Sequence, residues 1–406
     1  MFTLKIKKPS LSSKRITFQI NPERMTLVPM ITVLVLMSFI CFALSDLFPF
    51  LSYASLGITL LSFFTYSFLI IRKRIITSYT FLIALTLLSL ISVTVTNVQD
   101  IKNSVYDTCA ILLYVFLLQY YIGRFQFILT CFAIALSFCV YVNFLHLLTH
   151  PALWMTLKDS SGYLLGGNYN QMGIRMIVAL GINTLCVNYS KLWLFNLIPL
   201  LIICFISLTL LGSMTALASF TLITLIYIIP NKFLQKIAVV TLLIFVVLFQ
   251  VFIVFNGKGI ENNELAVYFI EEILNKDITF TGRTRLWDSA IRIITDSPVW
   301  GYGYVNTTWF ITKMDSFAMG PHNMILAILI NGGMILLMLY CALLHKSYHY
   351  IKPYLNKRPT ILFAACIVTS LFMSLMEMYQ YPIILLMPSV AYFYAYSQKN
   401  IKETRI

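Results

Sequence analysis

The chain has 406 residues, of which 59% are hydrophobic and only 11% charged, and its mean hydropathy is +0.84. Those values exclude an ordinary water-soluble domain and make a bilayer the main solvent. The net charge of +14 does not point to nucleic acid, because the basic residues sit in short turns between apolar runs and form no continuous stripe.

Apolar runs of membrane-crossing length recur with no soluble domain between them. The sequence therefore predicts an all-α, polytopic membrane protein of about twelve transmembrane helices, forming one unit over 1–406. The expected spans are 28–47, 50–71, 75–95, 105–122, 126–148, 172–190, 192–211, 214–230, 237–255, 322–344, 360–379 and 382–397. The basic stretch ending at Arg24 precedes the first span with no small-residue cleavage site, so that span reads as an uncleaved anchor. The seventh and eighth spans need a tight outward turn at Gly212 and Ser213, and the basic turn over 231–236 favours two spans over one broken helix.

In this arrangement the inward turns hold 20 Lys and Arg, among them Arg72, Lys73 and Arg74, and outward segments hold nine. Thirteen of the fifteen acidic residues fall outside. The positive-inside rule then places both termini in the cytoplasm, and the chain is expected in a bacterial plasma membrane. All eight cysteines lie within apolar runs and form no CxxC pair, so they read as packing residues.

Two outward segments are too long and polar to be simple turns: 149–173, and a larger one of roughly 65 residues over 256–321. The larger carries helical patterns over Asn263 to Asn275 and over Gly282 to Ile294, the second started by Thr281 and stopped by Pro298. At 100° per residue, Arg285, Asp288, Ser289, Arg292 and Asp296 share one face of it; Leu286, Ala290, Ile293 and Ile294 share the other.

Five short elements then follow in order: Gly282-Arg283, Leu286-Trp287, Pro298 with Gly301 and Gly303, His322-Asn323, and Gly332-Gly333. Together they resemble the signature of the O-antigen polymerase and O-antigen ligase superfamily, which also has about a dozen helices and a large late outer loop. The resemblance covers about 50 residues; the first 150 match only as hydrophobic spans. It implies transfer of a glycan from an undecaprenyl-diphosphate carrier to an acceptor hydroxyl at the outer membrane face, with no cofactor. Implied partners are the lipid-linked oligosaccharide, membrane lipids, and a chain-length regulator and flippase of the same pathway.

The residue chemistry fits that reaction. Arg283, Arg285 and Arg292 can neutralise a departing diphosphate through bidentate bonds, or instead hold an amphipathic helix on anionic head groups. His322 can take a proton from a hydroxyl near neutral pH, or only hydrogen-bond it; Asn323 orients the site or caps a helix. Trp287, with Trp300, Tyr302, Tyr304 and Trp309, offers flat rings for sugars or for an interfacial belt. Asn170 and Arg175 come from the smaller outer segment, where an intramembrane arginine binds phosphate or snorkels to head groups. Members of the superfamily commonly carry Ser-Arg where this chain has Gly212-Ser213-Met214, so Arg175 is expected to substitute for that arginine. Glu377 is expected to steady a cation or bind a sugar hydroxyl. The acidic and histidine residues form no ligand motif, which predicts metal-independent chemistry.

The leading expectation is a polymerase of lipid-linked repeat units making capsule, exopolysaccharide or O-antigen. The alternatives are an O-antigen ligase acting on a lipid A core, and a flippase or other transporter. Spans poor in charge, with polar residues gathered at one face, favour an interfacial enzyme over a carrier that binds at the midplane.

Overall fold

In a computed structural model of the protein, residues 49–155, 169–256, 268, 282–314 and 319–403 are described. Within them every regular element is helical: α1 Pro49–Lys73, α2 Ser78–Thr96, α3 Ile101–Tyr120, α4 Phe125–Thr149, α5 Tyr169–Cys186, α6 Leu194–Leu211, α7 Met214–Ile228, α8 Lys232–Phe252, α9 Arg283–Asp296, α10 Thr307–Lys313, α11 Met324–Ile351, α12 Arg358–Met373 and α13 Tyr381–Glu403. The expected first span, Thr281 and, apart from residue 268, the helical pattern over 263–275 lie outside the described residues.

Among the described residues, seven helical stretches are long and apolar enough to cross a membrane: those containing α1, α2, α3, α4, α6, α8 and α11; α7 and α12 are apolar but shorter. The physical reason the others fall short is position. From Met172 to Cys186, α5 buries every side chain except Arg175, because it packs against α4, α6, α7, α12 and α13. A helix surrounded by protein need not present apolar side chains to lipid, so it can carry Asn170, Gln171, Arg175 and Asn183. Asn183 donates to Ser137 Oγ at 2.9 Å and accepts from Asn196 at 2.7 Å, tying α5 to α4 and α6. Peripheral helices show the opposite pattern, with Phe233, Val240, Ile244 and Phe252 of α8 exposed on the outer surface of the bundle.

The tight turn expected at Gly212 and Ser213 is present. Gly212 ends α6 in the left-handed region at φ 67°, and α7 starts two residues later. Gly173 of α5 faces this turn: a Cβ there would lie 2.5 Å from Ala216 Cβ and 2.8 Å from Met373 Cε, so α5, α7 and α12 meet closely at this end.

The span expected over 322–344 is not one continuous helix. Within α11, Gly332 (φ −143°, ψ 15°) and Gly333 (φ 60°, ψ −159°) leave helical geometry, giving an arm over 324–331 and a longer helix after the break. A broken helix leaves backbone groups unpaired, which is costly away from water. A strap over 298–303 satisfies them: Tyr302 N donates to Ile330 O at 2.7 Å, Gly303 N to Asn331 O at 2.8 Å, and Met334 N to Pro298 O at 2.8 Å. The signature glycines thus serve close approach as well as turning. A Cβ on Gly301 would fall 2.5 Å from Ile330 O, and one on Gly333 would fall 2.2 Å from Val299 O. On its other side Gly303 touches Thr94 near the end of α2, which puts the break level with that helix end.

Candidate functional site

The arm is anchored by Asn323. Its side chain accepts from Leu326 N at 2.9 Å as the N-cap of α11, and its amide nitrogen donates to Gln250 Oε1 at 2.8 Å and Leu375 O at 3.0 Å. Asn323 is fully buried and each polar atom of its amide is used by the protein. Of its two expected roles the helix cap is the one seen: this residue holds the arm against α8 and the segment after α12, and its amide is fully occupied by the protein.

His322 precedes it in the left-handed region, at φ 45°. A non-glycine residue there costs roughly 1–3 kcal/mol and persists only where its surroundings impose it. Pro321 and Asn323, both buried, supply that constraint. The consequence is a half-exposed imidazole whose Nδ1 meets Glu377 Oε1 at 3.1 Å, with the carboxylate 6% exposed. An ionised carboxylate only accepts, so the proton of a neutral ring sits on Nδ1 and Nε2 is left with a lone pair.

Glu377 lies in the non-helical segment 374–380 joining α12 to α13, within the sequence Ser-Leu-Met-Glu-Met-Tyr-Gln. Two arginines converge on the same segment. Arg175 of α5 donates to Gln380 Oε1 at 3.4 Å, and Arg283, Arg175 and Glu377 all act electrostatically on Tyr379. Asn170 joins from the start of α5, accepting from Ser213 Oγ at 3.3 Å, so the Gly212-Ser213-Met214 turn lies beside Arg175's helix. His322, Glu377, Arg283 and Arg175, separated by up to 202 positions in the sequence, are thus gathered around one segment.

The other expected residues are placed differently. Helix α9 starts after Gly282, which sits at φ 81° with no side-chain cap, and ends just before Pro298. Trp287 is completely buried, packed in a core with Phe249, Val254, Phe310, Leu326 and Leu375, so its ring fastens α9 to α11 and cannot stack on a sugar. Arg285 and Arg292 are exposed on the opposite side of α9 from Trp287. Arg292 pairs with Asp288 at 3.3 Å and donates to Ser289 Oγ at 3.3 Å. Arg283, half-buried at the first turn, acts electrostatically on Tyr379 of the 374–380 segment. Of the aromatics, Tyr302 donates to Ile293 O at 3.1 Å and packs on Trp309, which is strap architecture.

Sequence reasoning did not single out Tyr379, Gln380, Gln250 or Asp107. Each carried a readable signal, since a polar side chain within or between apolar spans is a functional or structural exception by default.

Residues 195–341 match the family model described as O-antigen ligase. The match covers between a third and a half of the chain and contains all five signature elements, His322 and Arg283 included. It supports the O-antigen ligase and polymerase superfamily. No curated protein matches the chain. Arg175 and Glu377 lie outside the matched residues, and Glu377 meets His322 through space.

Proposed function

Starting from that family match, we propose that the chain is a polysaccharide polymerase of the plasma membrane, joining undecaprenyl-diphosphate-linked repeat units at its outer face. The observation that carries this reading is the His322–Glu377 contact, with Arg175 on Gln380 and Arg283 acting on Tyr379 of the same segment. In the reaction, an acceptor hydroxyl oxygen attacks the anomeric carbon of the donor sugar as the bond to the diphosphate oxygen breaks. His322 Nε2 takes the hydroxyl proton, and Glu377 stabilises the imidazolium that forms. Arg283 and Arg175 meet the charge that develops on the leaving diphosphate, where two fixed guanidinium groups act without reorganising. The residues supply both halves of the chemistry, so the transfer is written without a metal. The outer-face placement follows from the basic residues of the opposite turns, which put both termini in the cytoplasm.

The same chemistry serves a ligase, and the match to the O-antigen ligase family favours that second reading. The two differ only in acceptor. The test is to supply membranes containing the protein with the purified lipid-linked repeat unit, with and without a lipid A core oligosaccharide. A polymerase gives a ladder from the repeat unit alone. A ligase gives product only when the core is present, and no product under either condition contradicts both.

A further inference from the structure

The two stretches of chain that carry His322 and Glu377 are fastened to each other residue by residue. Met324 N donates to Ser374 O at 2.9 Å, Asn323 Nδ2 to Leu375 O at 3.0 Å, and Tyr379 N to Met324 Sδ at 3.5 Å. The contact of His322 with Glu377 belongs to the same series. A third element reaches this junction from α8. Gln250, which is buried, accepts at Oε1 from Asn323 Nδ2 at 2.8 Å. Backbone partners fix which way both amides point, because Leu326 N only donates and Leu375 O only accepts. Asn323 must therefore turn its nitrogen toward Gln250, and Gln250 must answer with its oxygen.

Gln250 is an exception in its own helix. It is the one polar residue between Leu242 and Phe255, and its Nε2 is buried with no hydrogen-bond partner among the described residues. A buried amide with one half unmatched costs more than an apolar side chain of the same size, so Gln250 is a poor device for stability alone.

We infer that Gln250 is a positioning residue for glycosyl transfer, holding His322 against Glu377 through Asn323; the inference rests on the transfer reading above. The amide of Asn323 is planar, and its bonds to Leu326 N, Leu375 O and Gln250 Oε1 together fix that plane. His322 directly precedes it at φ 45°, a conformation that relaxes unless its neighbours prevent it. Glu377 stands two residues beyond Leu375, so the imidazole and the carboxylate are mounted on the two chains that this one amide joins. Without the α8 acceptor, one N–H of the fully buried Asn323 amide loses its partner, and the amide turns to recover one. Both mountings then shift. A displacement of about 1 Å at reacting groups costs on the order of 100-fold in rate, although Gln250 itself touches none of them.

The test is steady-state transfer in proteoliposomes with the purified lipid-linked repeat unit, expressed per molecule of folded protein recovered by size exclusion. Gln250→Met keeps the length of the side chain and removes the acceptor; Gln250→Asn keeps the amide and withdraws it by one methylene. Each should lower kcat by about 10-fold or more, with KM for the lipid-linked unit within about twofold of wild type, because alignment is lost and donor binding is not. In a Glu377→Gln background the pair is already broken, and Gln250→Met should cost less than about twofold further. Should Gln250→Met fail to fold, Gln250→Asn makes the same comparison. A merely structural Gln250 predicts lower yield or melting temperature with wild-type kcat in the molecules that fold. Wild-type kcat in the folded single variants, or the same fold-loss with and without the Glu377 carboxylate, overturns the positioning role alone. Transfer at the wild-type rate by His322→Asn overturns the transfer reading and this inference with it.

Discussion

At the scale of residues, His322 combines a strained backbone with an oriented ring. Replacement by Asn tolerates the left-handed conformation and keeps hydrogen-bonding capacity, but cannot take up a proton near neutral pH. His322→Asn should therefore fold, by detergent thermal stability, and lose transfer. Glu377→Gln keeps the size of the side chain and removes the charge that fixes the ring proton on Nδ1, and should lower turnover by about 10- to 100-fold. Arginine positions divide in the same way. Arg283→Lys keeps charge without the planar fork and should transfer at a fraction of the wild-type rate, with Arg283→Ala slower still. Arg292→Ala should leave turnover unchanged and shift stability by less than about 1 kcal/mol, since its pair with Asp288 is exposed. Equal losses for Arg283→Ala and Arg292→Ala in the same transfer assay would show that α9 acts as a general basic surface. Sequence reading identified His322 and Arg283 because each stands in an ordered motif. It favoured Arg283 over Arg285 and Arg292 from its place in the Gly-Arg element and off the polar face, and Trp287 packing beneath α9 is the physical reason that the other two point away.

At the scale of elements, the broken α11 and the strap form one device. The strap supplies the hydrogen bonds that the break leaves open, and the glycines let the two backbones approach. Gly301→Ala and Gly333→Ala should each sharply reduce the yield of folded protein in detergent, as a Cβ at either position meets backbone atoms that cannot swing aside. Gly57→Ala and Gly123→Ala are the controls, because a Cβ there meets nothing within 4 Å. Their melting temperatures should stay at or above that of the wild type. The Gly-Gly pair was visible in the sequence, yet a helix-length apolar run around it reads as one continuous span. Periodicity reports which faces are apolar and is silent on whether the ladder of backbone bonds is unbroken. Only the pairing of 298–303 with 330–335, distant in sequence, settles where the arm ends. Asn323 is the same lesson in miniature: its capping bond is local, but Gln250 and Leu375, which occupy its amide, are remote.

At the scale of the whole molecule, the apolar runs from residue 50 onward each fall on a helix, including the pair divided at Gly212. This much was legible because bilayer length and hydropathy constrain helices strongly. The centre of the bundle was less so: α5 is among the least apolar of the expected spans because it faces protein, and its polar side chains read equally as a boundary or as a site. The charge asymmetry predicts that the turn at Val98 faces outward and the turn at Arg74 inward. Single cysteines placed there, in a background with the native cysteines removed, should divide accordingly. A membrane-impermeant thiol reagent applied to intact cells should label Val98→Cys and spare Arg74→Cys; the reverse would invert the topology and remove His322 from the outer face. Val98 is 82% exposed, so lack of access through burial does not confuse the result.

The central claim is that one segment, 374–380, assembles a proton acceptor and two diphosphate-binding arginines from distant parts of the chain. It is tested most directly by single-turnover transfer in proteoliposomes loaded with the lipid-linked repeat unit, comparing wild type, His322→Asn and Arg175→Ala. The account predicts that His322→Asn binds the donor with wild-type affinity and forms no new glycosidic bond, and that Arg175→Ala weakens donor binding and slows transfer together. Bond formation by His322→Asn at the wild-type rate would contradict it.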